Sequence, residues 1–64
     1  MDRQEVIDVF ARQILKLNEA ISGAMDSPRS QDRYIAQREG IVEVAVKLGI
    51  LDEVGKRIDA LEGE

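Results

Sequence analysis

Residues 40–49, Gly-Ile-Val-Glu-Val-Ala-Val-Lys-Leu-Gly, decide the fold. Between two glycines stands a β-branched run in which Val42, Val44 and Val46 would share one face of a strand. Read as a helix, the same stretch lets Ile41, Ala45 and Leu48 continue an apolar seam that begins at Tyr34. The strand lacks a partner, because no second strand-like segment exists and a lone strand would have to pair with another subunit. The sequence therefore predicts a helix, in which Gly40 costs about 1 kcal/mol relative to alanine. In that helix the valines widen the apolar arc beyond half the circumference. One neighbouring helix cannot cover such an arc, so a second partner is implied.

Upstream the pattern is plainer. Ile7, Phe10, Ile14, Leu17, Ile21 and Ala24 recur at alternating steps of three and four, which is the seam of an amphipathic, coiled-coil-like helix. Ala11 and Ala20 flank it and leave room for a close neighbour. Asp2, Glu5 and Asp8 suit the positive end of the helix dipole. Ser22 to Pro28 interrupts the pattern: Gly23 can end the first helix, and Ser27-Pro28 reads as an N-cap followed by proline at the first helical position. So short a connection predicts an antiparallel hairpin. Downstream, Gly49 punctuates, Ile50 and Leu51 are expected as buried anchors, and Asp52 as the cap of a third helix. Leu51, Val54, Ile58 and Leu61 form its seam, and Glu62-Gly63-Glu64 should fray. The expected fold is all-α in a single domain, with helices over about residues 2–24, 28–48 and 52–61.

The corner at Val44–Ile58 resembles a helix-turn-helix DNA reader. With Ala45 as the small fifth residue of that motif, Gly49 falls at its glycine. Ile50 and Ile58 take aliphatic places, and Leu48 and Val44 fall where apolar residues are usual. The resemblance implies a DNA-binding regulator using residues 44–58. Two departures weigh against it: Gly55 stands where the second helix should dock an aliphatic side chain, and Leu51 replaces the usual polar turn residue. A recognition helix meets phosphates, yet Lys56 and Arg57 are here outnumbered by Asp52, Glu53, Asp59 and Glu62.

Composition narrows the remaining classes. Thirteen acids against nine bases leave a net charge of −4, with the signs interspersed, so nucleic acid is a disfavoured partner. Histidine and cysteine are absent, which removes the usual acid/base, a thiol nucleophile and the staples of a structural zinc or a disulfide. No phosphate-binding glycine loop occurs. Glu39 and Glu43, one turn apart, read as a solvated flank. No enzyme activity, cofactor or metal is expected. No apolar run approaches the roughly 20 residues that span a bilayer, and MDRQEVIDVF lacks a signal-peptide core, so a cytoplasmic protein is expected.

Small chains without staples commonly assemble. A homo-oligomer, with a dimer favoured, is expected to complete the helical hairpin into a bundle. Its self-association face would draw on Ile7, Phe10, Ile14, Leu17 and Ile21 of the first helix and Ile41, Val42, Ala45 and Leu48 of the second. Candidates for a protein partner are Tyr34 and Arg38, Arg29 and Arg33, and Leu15. Arg38 falls inside the apolar arc and must snorkel or find a partner within the chain or across subunits, with Glu19 a candidate and Tyr34 a stacking platform. Tyrosine and arginine are also enriched among interface hot spots. Arg29, Arg33 and Arg38 lie towards the start of a helix, where the dipole does not favour cations. Leu15 points away from the first seam. The expected function is a small acidic interaction module, an adaptor or regulator that binds or occludes another protein.

Overall fold

The computed structural model describes residues 1–63 and contains three α-helices and no strand among them. Helix α1 spans Arg3–Gly23, α2 spans Pro28–Leu48 and α3 spans Leu51–Glu62. Residues 41–46 are helical throughout, as the missing strand partner requires. The predicted fraying at Glu62–Glu64 is met by a closed last turn, with the Gly63 amide donating to the Asp59 carbonyl at 3.1 Å. Glu64 lies outside the described residues.

Each boundary has a local cause. Asp2 caps α1 by accepting a hydrogen bond from the Glu5 amide at 2.9 Å. At the far end Ala24 closes the helix onto the Ile21 carbonyl. Pro28 occupies the first turn of α2, where its missing N–H costs nothing. Ser27 precedes it but makes no side-chain cap, its hydroxyl pairing with Ser30 instead. The Gln31 side-chain amide donates to the Ile21 carbonyl at 3.2 Å, tying the start of α2 to the end of α1.

The second corner is built by Gly49. Its φ of 72° is left-handed, a conformation open to glycine at little cost. The Gly49 amide then donates to the Val46 carbonyl and the Ile50 amide to the Ala45 carbonyl, each at 3.0 Å. This is the paired closure of a Schellman turn, and its accompanying apolar contact is Ile50 with Ala45, both in the core. The same turn corrects two expectations. Ile50, not Asp52, takes the cap position of α3, because its carbonyl already accepts from Val54 at 2.9 Å. The chain turns inward at Ile50, so Leu51 rotates out and is 37% exposed rather than buried.

The core consists of Ile7, Ala11 and Ile14 from α1, Ala45 from α2, and Ile50 and Val54 at the corner and in α3. Phe10, Ile41, Val42, Ile58 and Leu61 pack around it. Helix α1 is central, and α2 and α3 both lie on it while touching one another little. The result is flat, with extents of 37 × 28 × 18 Å.

Candidate functional site

Three helices leave α2 incompletely covered. Ala45 lies on its centre line and is fully buried, whereas Leu48, read as part of the same seam, is 55% exposed. The seam stops at Ala45 because the Gly49 corner turns the chain inward one residue later, at Ile50. On one flank of α2 Val44 is 45% exposed, and on the other Val46 is 55% exposed. The wide apolar arc is thus satisfied in the middle and open on both sides.

The Val44 flank continues into a groove between α1 and α2. Val9, Phe10 and Gln13 form one wall, and Gln37, Gly40, Ile41 and Val44 the other. No residue of α3 lines it. The groove carries no ionisable side chain, although the chain as a whole is one-third charged. Its chemistry is apolar contact, edged by two neutral amides. A Cβ at Gly40 would meet nothing within 4 Å, so packing inside this chain gives no reason for a glycine there.

The other candidate residues differ in burial. Ile7, Ile14, Leu17 and Ala45 are buried inside the single chain, so the face they form is used internally. Ile21 and Val42 are half-buried, and Phe10 and Ile41, also half-buried, reach both the core and the groove. Arg38 meets Asn18 rather than Glu19, its Nη1 donating to Oδ1 at 2.7 Å across the hairpin. Asn18 sits on the α1 face that α2 covers, and Glu19 has rotated to solvent. Tyr34 is half-buried as well. Leu15 is half-buried and lines a depression with Leu61, the rest of whose lining is Arg12, Lys16 and Glu19. Arg29 and Arg33 are exposed and make no ion pair among the described residues.

Charge holds α3 to α1. Asp8 accepts from Arg57 Nε through Oδ1 and from Arg12 Nε through Oδ2, both at 2.8 Å. Arg3 grips Glu53 in a fork, at 2.6 and 3.1 Å. These donors lower the pKa of both carboxyls. For Asp8 the bond from Arg12 contributes most, followed by that from Arg57, and for Glu53 the bond from Arg3 dominates. The sequence offered no periodic signal for these pairs, since Arg3–Glu53 and Asp8–Arg57 join residues some fifty positions apart.

The pairs also bear on the DNA-reader geometry. Arg57 is engaged by Asp8, and the exposed residues of α3 include Asp52, Lys56, Asp59 and Glu62, three acids to one base. A Cβ at Gly55 would find no neighbour within 4 Å, and glycine itself offers no side chain at the place where a recognition helix seats an aliphatic residue. Among the described residues no group of three metal-ligating side chains converges, and no helix is long and apolar enough to cross a membrane. Comparison of the chain with protein-family models, with curated proteins and with solved structures finds no match.

Proposed function

We propose that this chain is a small acidic interaction module, an adaptor or regulator that works as a homo-oligomer and binds or occludes another protein without catalysis. One observation carries the reading: α2 is apolar over more of its circumference than α1 and α3 cover, leaving Val44 and Leu48 open on one flank and Val46 on the other. An apolar surface left open in water is worth about 25 cal/mol for each Å² that a partner removes. Two open flanks provide for two contacts, one between copies and one with a different protein. Arg29 and Arg33, near the start of α2 and without an ion pair among the described residues, give the second contact a cationic margin suited to an acidic partner surface.

Light scattering across a concentration series, with far-UV circular dichroism alongside, tests the assembly. A helical dimer or larger species is expected. A helical chain that stays monomeric throughout would remove self-assembly from the proposal.

The alternative, a DNA-binding regulator using residues 44–58, is favoured by the Schellman corner at Gly49. It requires salt-sensitive DNA binding that is lost on Lys56→Glu and Arg57→Glu. Indifference to DNA at low salt would eliminate it.

A further inference from the structure

We infer that the groove between α1 and α2 is the surface on which a second copy of this chain docks, about a twofold axis passing near Gly40, so that two hairpins form a four-helix core with α3 outside it. The inference rests on the proposed self-assembly and assigns it a face. Three features bear on the occupant: the uncharged lining favours a second copy, while Gly40 and the exposed area favour close docking of a helical partner.

The first is charge. Two chains of net charge −4 repel one another, and a face on which they can meet must keep its ionisable groups away from the contact. The α1–α2 groove does so, having neither carboxylates nor cations in its lining. Its polar members, Gln13 and Gln37, end in amides that each hold both donor and acceptor. Such groups can pair with their own copies across a twofold axis, where every contact is made twice in reverse. A charged foreign segment would find no complement there.

The second is Gly40. Mid-helix glycine costs about 1 kcal/mol against alanine, and nothing within this chain needs the space. A helix crossing at that point does need it, because a missing side chain lets two backbones approach closely.

The third is area. A folded chain of 7.2 kDa exposes about 4,100 Å² by the usual scaling, and this one exposes 4684 Å². Its radius of gyration, 12.3 Å, likewise exceeds the roughly 10.7 Å of a compact chain of its length. The surplus of about 600 Å² approaches the ~800 Å² that each partner buries in a standard interface. Because the Asp8–Arg57 bond holds α3 on another face of α1, and no residue of α3 lines the groove, the groove is free to receive a partner over its length.

Sedimentation equilibrium on the intact chain and three variants tests the docking. The wild type should be dimeric. Val44→Arg puts a charge in the groove and should yield a monomer of unchanged helicity, since Val44 is already half-exposed in the single chain. Val46→Arg, on the other flank, should leave the dimer intact. Gly40→Ala separates the two roles of that position: it should stabilise the single helix yet raise the dimer dissociation constant by about tenfold or more. A wild-type dimer that persists in both Val44→Arg and Gly40→Ala would overturn the assignment of this face while leaving self-assembly standing. Loss of the dimer in Val46→Arg alone would move the contact to the other flank. A monomeric wild type would overturn both the docking and the assembly on which it rests.

Discussion

Gly49 shows how one residue sets the path of the chain. Its left-handed backbone lets the Ala45 and Val46 carbonyls be satisfied at the moment the helix stops, and it delivers Ile50 into the core. A side chain there would meet open space but would sit in a conformation that costs an L-residue about 1–2 kcal/mol. Gly49→Ala should therefore lower unfolding stability by about that amount, seen in urea denaturation as a shifted midpoint with an unchanged slope. Ile14 makes the contrasting case. It belongs to the apolar core and is nearly fully buried, so Ile14→Asp would bury a carboxylate among apolar side chains and should abolish the helical signal in circular dichroism. The milder Ile7→Ala should cost about 2–5 kcal/mol, because the corner and α3 close over that site and cannot collapse freely into the space. A stability loss below ~1 kcal/mol for Ile7→Ala would place α3 elsewhere.

Helix α3 depends on tertiary support. At twelve residues it is too short to persist alone in water, and Val54 is its sole buried side chain. Two carboxylates, Asp8 of α1 and Glu53 of α3, each paired with an arginine of the other helix, supplement that anchor. Both have pKa values lowered by their arginine partners, so the sign follows directly: their contribution is full above the unfolded values of about 3.9 and 4.3, and is lost as pH falls through the lower folded values. The thermal midpoint should drop on acidification below about pH 4, and the drop should shrink in Asp8→Asn with Glu53→Gln. An unaltered acid profile in that double variant would mean the pairs contribute nothing to folding. Across the hairpin, Arg38 and Asn18 join α2 to α1 in partly buried surroundings. Arg38→Ala should destabilise the chain by roughly 1–3 kcal/mol, as expected for a hydrogen bond to a charged group. If thermal denaturation showed no loss, Arg38 would be free for a partner.

Taken whole, the molecule is a flat arrangement in which one helix serves two neighbours. Helix α1 spends its strong seam on α2 and α3 together, so its side chains are the best covered. Helix α2, equal to α1 in length at 21 residues, has α1 along one stripe and little else. This imbalance leaves the groove at Val9 and Val44 open, and a second copy placed there would convert a flat hairpin into a four-helix core. Dimerisation should also make the thermal midpoint rise with protein concentration. A midpoint constant over a hundredfold concentration range, at the same pH and salt, would indicate a monomer.

The three helices and their order were legible in the chain, because a seam at steps of three and four is a local property and Gly23, Pro28 and Gly49 act on their own backbone. The excess width of the apolar arc on α2 was legible for the same reason. Which part of that arc is buried was not: Ala45 lies inward and Leu48 outward because the Schellman turn swings α3 across the end of α2, and the swing depends on Ile50 and Val54 finding Ile7 and Ala11. Nor could the chain alone announce that Arg38 meets Asn18, that Arg57 meets Asp8, or that Gln13 and Gln37 edge an uncharged groove. Periodicity reports which side of a helix is apolar, since side chains repeat with the backbone. Only the packing of one helix on another assigns that side to the core or to water.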